Sequence, residues 1–286
     1  MMYEQETEII KKKYKLSKHQ ESILMSKIYH LKNWNKNLNT EQIVLLADPH
    51  VDLGRASKIA GLLETHHISK ELMELLVKDN FTDDMFNIVE DLIEEYVPEE
   101  SIMLVANNGL DSGQMSAVAN GIYRHLSDDQ LKVFAKPEYN REQMYQIRRG
   151  LEHLTAEQVM IYANVKYNEF QMQYFRLCLE NKIPTDIFDV EKITERGVEL
   201  FFRLLSEGIT DPKLAKRCLS EEFTKDQVHI ISQAKFSGLS EKQIEVILNP
   251  RFSVEQMKFL INCAKRYEDT KEKSIKKQKQ DKNMHI

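Results

Sequence analysis

Apolar and polar positions recur along this chain at two nested periods. The coarse one is close to 29 residues. Leu38, Ile68, Val97, Leu126, Leu154, Ile183, Ile209 and Leu239 each open a segment, at spacings of 30, 29, 29, 28, 29, 26 and 30. Self-similarity at such a period is the mark of stacked supersecondary units. The clearest copies are 126–153 and 154–182, and 239–267 follows the same pattern.

The fine period is helical. Each segment holds a good N-cap residue at one shared position: Asp52, Thr82, Asp111, Asn140, Asn168, Thr194, Thr224 and Ser253. Gln114, Gln143, Gln171, Gln227 and Gln256 follow three residues later, which is capping-box spacing. Four residues past the cap stand Ala56, Phe86, Met115, Met144, Met172, Val198, Val228 and Met257. Seven past it stand Ile59, Val89, Val118, Ile147, Phe175, Phe201, Ile231 and Leu260. The eleventh position is apolar as far as Leu205 and then fades to Lys235 and Ala264. At roughly 100° per residue these positions share one stripe. A methionine column could line a cofactor groove, but this one shares its stripe with Ile, Val and Leu and reads as core.

An earlier helix start precedes that cap in each segment. Asn39, Ser69, Ser127, Thr155, Thr210 and Ser240 can cap it, and Pro98 and Pro184 suit a first helical turn. Gln42, Gln130, Gln158 and Gln243 again have capping-box spacing. This first helix is short, stopping near Pro49, Pro137 or Pro250, because proline cannot donate to the helical ladder. Two short helices cannot bury their apolar faces alone, whereas neighbours stacked on them can. The pattern predicts an all-α chain: an α-solenoid of about eight two-helix repeats of ~29 residues over 38–267.

Residues 1–37 do not fit that repeat and are expected to form an N-terminal capping helix region, with Trp34 covering the end of the stack. Residues 268–286 are Lys-rich and poor in apolar side chains, which predicts a disordered tail. The shortest segment, 183–208, is expected to change the local curvature.

Composition narrows the function. Of 286 residues, 42% are hydrophobic and 30% charged, with only 9 Gly and 6 Pro, which excludes a loop-rich or all-β fold. No apolar run is long enough for a membrane helix, and the N-terminus lacks a secretory core, so a cytoplasmic protein is expected. Cys178, Cys218 and Cys263 are far apart and read as buried thiols. His67, His125 and His153 share one repeat position. One repeat is about 10 Å, too far for a common metal, and exposed linker histidines are the simpler reading. No catalytic constellation, phosphate loop or HExxH is present, so no catalytic, metal or cofactor residues are assigned.

Charge is uneven. Residues 1–37 carry +4, residues 268–286 carry +2, and the body between them carries −11. No Lys or Arg lies between Lys78 and Arg124, while Asp83, Asp84, Asp91 and Glu95 are among the acids there. That stretch is either a solvated face or a dock for a basic partner. Positions five and nine past the second cap point away from the apolar stripe. They include Asn87 with Asp91, Ser116 with Asn120, Tyr145 with Arg149, Gln173 with Leu177 and Glu199 with Arg203. The candidate partner-binding set is therefore Asp83, Asp84, Asn87, Asp91, Glu95, Asn120, Tyr145, Arg149, Gln173 and Arg203.

The pattern LSxxQ…YAxPxYNxxQMxxIRxGLE, clearest over 126–153, resembles the short helical repeats of proteins carried by phages and mobile elements of low-GC Gram-positive bacteria. The resemblance rests on caps and core. The absent catalytic set and the acidic second and third segments point to a non-enzymatic protein-binding scaffold for a basic, nucleic-acid-handling partner, with no cofactor and no membrane contact, and the resemblance implies that it acts as a host-interaction or counter-defence inhibitor that blocks its target. The alternative is a single-stranded nucleic-acid binder using Tyr145, Arg148, Arg149, Arg176 and Arg203. The acidic body makes nucleic acid the less favoured partner.

Overall fold

The computed structural model describes residues 4–267, and all regular structure among them is helical. The expected tail, 268–286, lies outside the described residues. The helices are α1 (Glu4–Lys13), α2 (Lys18–Trp34), α3 (Thr40–Leu46), α4 (Leu53–Thr65), α5 (Lys70–Leu76), α6 (Asp83–Glu94), α7 (Glu99–Ala106) and α8 (Ser112–Tyr123). After them come α9 (Asp128–Phe134), α10 (Arg141–Leu151), α11 (Ala156–Met160), α12 (Glu169–Glu180), α13 (Glu195–Ser206), α14 (Pro212–Leu219), α15 (Lys225–Phe236), α16 (Glu241–Ile247) and α17 (254–267). The chain divides into two compact bodies, Met1–Ala156 and Glu157–Ile286.

In the N-terminal body the longer helices form one row, α2 against α4, α4 against α6, α6 against α8 and α8 against α10. The shorter ones pack as α1 with α3, and as α5 with α7 with α9. In the C-terminal body α13 touches α12, α14 and α15, and α15 touches α16.

Local chemistry explains these boundaries. The caps Asp52, Thr82, Asp111, Asn140, Asn168, Thr194 and Thr224 all accept a hydrogen bond from the backbone N–H three residues on. Ser253 does the same for α17. The residue before the cap is apolar, and Val51, Phe81, Leu110, Tyr139, Ile193 and Phe223 are buried there. The fourth residue after the cap is buried in all eight segments, Met115, Met144, Met172 and Met257 included. That pair of positions is a hydrophobic staple, which fixes the angle at which the chain enters the helix.

The far end of the long helices is equally regular. Tyr96, His125, Lys182, Gly208 and Gly238 have positive φ. The next residues, Val97, Leu126, Ile183, Ile209 and Leu239, each donate their N–H to a carbonyl five residues back. This is the Schellman closure, and the apolar residue after the left-handed position covers the last turn. The apolar residue that opens five of the segments is thus the final stitch of the preceding helix.

Neighbouring segments are joined through one position. Three residues into the long helix, the Gln114 side chain caps its own helix through Oε1 and donates through Nε2 to Pro137 O at 3.1 Å and Tyr139 O at 2.6 Å. Gln227 repeats this with Pro250 O at 3.0 Å and Phe252 O at 2.7 Å, and Gln171 reaches Val190 O at 3.0 Å. Arg55 stands at the same position and donates to Phe81 O. In α2 the link comes from elsewhere on the helix: Lys27, ten residues past Ser17, donates to Asp48 O at 2.9 Å and to Val51 O. Gly197 occupies the position in α13, where a Cβ would lie 2.6 Å from Leu219 O, so the following backbone closes in directly. Met85 has no polar group to offer, and a cavity of about 410 Å³ opens beside it, lined also by Phe81, Leu110 and Asp111.

Several sequence expectations are corrected. Pro184 opens no helix: only 11 positions separate Ile183 from Thr194, against 14 between Leu38 and Asp52, so a turn's worth of chain is missing. Turns and one 3₁₀ turn, Val190–Lys192, take the place of the first helix. The cap of α14 is Asp211, not Thr210, because Pro212 fills the first helical position. Pro98 is itself the cap of α7. Trp34 is 60% exposed, with its indole Nε1 beside Gly61 of α4. Residues 1–37 carry the same start signal after all: Ser17 and Gln20 form a capping box at the head of α2.

The double use of the amide sets a difference that can be measured. Gln227→Ala removes a cap and leaves two loop carbonyls without their donor, costing about 2 kcal/mol. Gln256→Ala, which gives up the box alone, costs about 0.5 kcal/mol. Urea unfolding of the two variants reads the gap, and equal losses would contradict it. Lys27 supplies a pH signature. Burial pulls its amine down from 10.5 to about 8, against the pull of Asp48 and Asp52. Between those values the unfolded chain binds more protons, so stability attributable to Lys27 rises from pH 8 to 10.5 and is lost again on acidification through that window. The slope of stability against pH should fall in Lys27→Met, and a slope unchanged from wild type would exclude the effect.

Candidate partner-binding face

The acids of the N-terminal body fall into two groups once their neighbours are known. Some are used by the fold. Asp111 caps α8, and the Glu99 carboxylate accepts the Ser69 N–H at 3.1 Å, taking the role of a capping-box partner that α5 itself lacks. Asp83 pairs with Arg55, and Lys58 bonds Glu90 at 3.2 Å and Asn87 at 3.3 Å, so α4 neutralises the adjoining edge of α6. Two members of the candidate set, Asp83 and Asn87, are thus engaged within the chain.

The others are not. Asp84, Asp91, Glu94 and Glu95 are exposed and make no ion pair among the described residues. Asp84, Asn87, Asp91 and Glu95 are spaced by three, four and four residues, which is one stripe of a helix surface. Tyr123 on α8 stands near its far end. Burial raises its hydroxyl pKa, and Asp91 and Glu95 push it further in the same direction. Tyr96, held at a φ of 56° by the closure of α6, is 77% exposed beside this acidic end. The result is a negative strip with two accessible phenol rings, which suits guanidinium or ammonium groups by charge and by cation–π contact.

The remaining candidates are distributed otherwise. Asn120 is exposed on α8 with its amide donating to Ser116 O of its own helix. Tyr145 is 44% exposed on α10, flanked by Arg148 at 5.2 Å and Arg149 at 5.7 Å from its ring. Gln173 and Arg203, both half-buried, belong to the C-terminal body, where Arg203 lies 3.6 Å from Glu207. Leu177, placed on the outward ladder by its spacing, is buried.

The basic cluster is not an open surface. Arg148 and Arg176 are buried and each pairs with a glutamate one turn on, Glu152 and Glu180. They stand eight residues past the cap, at the margin of the core stripe. A guanidinium there needs a carboxylate beside it to be tolerated. His67, His125 and His153 are exposed, and no cluster of metal-binding side chains occurs among the described residues. Cys178 and Cys218 are buried, with thiol pKa values raised by that burial to about 12, but Cys263 is exposed, against expectation. A cavity of about 720 Å³ on the short-helix side, lined by Ile9, Val44, Leu45 and Met73 among others, contains none of the candidate residues.

Comparison with family models, curated proteins and solved structures finds no match. No helix among the described residues is long and apolar enough to cross a membrane.

The coupling of Tyr123 to the strip is testable without a ligand. In Asp91→Asn/Glu95→Gln the Tyr123 hydroxyl should titrate at lower pH than in wild type, followed by NMR of ring-labelled tyrosine. A titration that stays in place would show that the strip does not act on Tyr123.

Proposed function

We propose that this protein is a non-enzymatic binding scaffold, an α-solenoid of about eight two-helix repeats, whose acidic α6 strip docks a basic protein. One observation carries the reading: Asp84, Asp91, Glu94 and Glu95 stay unpaired and exposed although lysines and arginines are plentiful elsewhere in the chain. Several other acids of that stretch serve the fold, Asp111 as a cap, Glu99 as an acceptor for Ser69, and Asp83 and Glu90 as partners of α4, whereas these four make no such contact. Exposed like charges repel, so a strip of this kind adds nothing to stability and is available for a partner. A protein whose own surface is basic, such as one that handles nucleic acid, offers the complementary charge. The repeat architecture supports the same reading, since stacked helix pairs present long surfaces that vary without disturbing the core. The resemblance to mobile-element repeat proteins is consistent with a blocking role in host interaction or counter-defence.

The nucleic-acid reading has less behind it. Of its five residues, Arg148 and Arg176 spend their charge on buried glutamate pairs, and Arg203 has Glu207 beside it.

The test is affinity capture with the full chain as bait. A bait carrying Asp84→Lys, Asp91→Lys, Glu94→Lys and Glu95→Lys should recover basic partners at least tenfold less well, and moderate salt should weaken the wild-type capture likewise. Undiminished recovery by the reversed bait would falsify the strip as the docking surface. Salt-sensitive retention of single-stranded nucleic acid by both baits would favour the alternative.

A further inference from the structure

A lysine buried without a counter-charge is uncommon, because its ammonium gives up hydration and receives no opposite charge in exchange. Lys27 on α2 is such a residue. It is 8% exposed and makes no ion pair among the described residues. Two of its three N–H groups are used, donating to Asp48 O at 2.9 Å and to Val51 O. The nearby carboxylates are committed elsewhere. Asp48 accepts from Lys13 at 2.9 Å, from the Tyr14 hydroxyl at 2.7 Å and from the His50 N–H at 3.1 Å. Asp52 accepts the Arg55 N–H at 2.9 Å as the cap of α4. Both attract the charged amine through space, but burial outweighs them and pulls it down to about 8. The third N–H of the ammonium has no partner among the described residues.

That side chain lines a cavity of about 420 Å³ between α2 and the loop that leads into α4. Ile23, Leu24, Pro49, Val51 and Leu53 make its walls apolar. Among the described residues no acid lines it, and His30 is the only other ionisable group there. The cavity follows from how α2 is tied to the next segment. In α8 and α15 the glutamine three residues past the cap reaches the following loop, Gln114 to Pro137 O and Gln227 to Pro250 O. In α2 the equivalent Gln20 caps its own helix, but Lys27, two turns further along, takes the loop carbonyls. The amide is withdrawn, and space opens between Gln20, Lys27 and the loop. The larger cavity of about 720 Å³ differs in its electrostatics. There Lys13 is paired with Asp48 and Lys70 stands 3.9 Å from Glu41, so its cations are already matched.

We propose that the Lys27 cavity binds a small-molecule carboxylate with a short apolar tail, the carboxylate accepting the free N–H of Lys27 and the tail lying against Ile23, Leu24, Val51 and Leu53. Each half of the ligand answers one feature of the site. A neutral apolar molecule would fill the space and leave the ammonium buried and unmatched, which is the costlier arrangement. A phosphate or sulfate would ask for several donors where one is free, and would gain nothing from apolar walls. The tail is short because the cavity lies toward the small end of the range for ligand pockets. Lys27 keeps both loop carbonyls while the ligand takes the third donor, so occupation leaves the tie between α2 and the next segment intact. The site shares no residue with the acidic α6 strip, and either reading can fail alone.

The test titrates the full chain with octanoate and with octanamide, its neutral counterpart, by calorimetry, while NMR follows the methyl groups of Ile23, Leu24, Val51 and Leu53. At about pH 7.5 octanoate should bind with a Kd of about 100 µM or tighter, within reach of a ligand of about ten heavy atoms, and should shift those methyls. Octanamide should bind about tenfold more weakly, since it cannot accept a charge-assisted bond. From about pH 7.5 to 9.5, above the histidine range, Lys27 loses its proton. The octanoate affinity should then fall about tenfold while that of octanamide stays level. Lys13, held charged by Tyr14 and Asp48, does not titrate in that window. In Lys27→Met, which keeps the length of the side chain, the two ligands should bind alike. Octanoate that binds no better than octanamide in wild type would overturn the assignment. So would an octanoate affinity that is flat across the pH window, a preference for octanoate retained in Lys27→Met, or methyl shifts confined to Val44 and Leu45 in the larger cavity. The pH series uses wild type, so it decides the matter even where Lys27→Met does not fold.

Discussion

Everything in this fold leans on a small planar amide shared between two neighbours. A glutamine three residues into a long helix must use its oxygen to satisfy the cap, because the first N–H groups of a helix have no partner of their own. Its nitrogen then points outward in a direction already fixed, and the next loop places its carbonyls there. One side chain sets where its own helix begins and where the next segment passes. The variations obey the same constraint. Arg55 supplies a cationic donor from the same position, Gly197 removes the side chain so that backbone meets backbone, and Met85 abandons the contact beside a cavity; in α2 Lys27, ten residues past its cap, reaches the following loop instead.

What could be read from sequence follows from this division of labour. Caps were legible because they depend on one residue type at one spacing, so Asp52 through Ser253 could be placed without coordinates. The methionine column was legible as core because its neighbours on the stripe are aliphatic. The outward half of each glutamine was not legible, since its partners lie some twenty residues on, in loops whose carbonyls carry no side-chain signature. Arg148 and Arg176 were misjudged for a related reason: eight residues past the cap is neither stripe nor open face, and only a neighbouring glutamate makes a guanidinium acceptable there. Cys263 read as a buried thiol because an isolated cysteine behaves as a small hydrophobe, but it stands on the exposed side of α17 with Phe259 and Tyr267. Among the candidate residues, the run of acids was legible from composition and the outward spacing of Asn87 and Asp91 from the helical period, whereas the engagement of Asp83 and Asn87 by α4 required the neighbour to be seen.

The same logic separates stability from recognition. Residues that link neighbours repeat from segment to segment, because each junction poses the same problem. Residues that do not repeat are free to differ, and the unpaired acids of α6 are such a departure: no other long helix carries a comparable strip. A repeat protein acquires a specific surface by that route, keeping caps and clamps while one face drifts in charge. The Tyr96 ring belongs to both classes, since the left-handed closure of α6 holds its backbone while its side chain remains available.

The most direct test of the central claim is native-state hydrogen exchange on Gln114→Met, which keeps the bulk and helix preference of the side chain and removes only its polar ends. If the amide joins neighbours one junction at a time, protection should fall in α9 and α10, beyond the loop that Gln114 serves, while α4 and α6 keep their wild-type rates. Protection lost equally across α4 to α10, or retained throughout, would contradict the account.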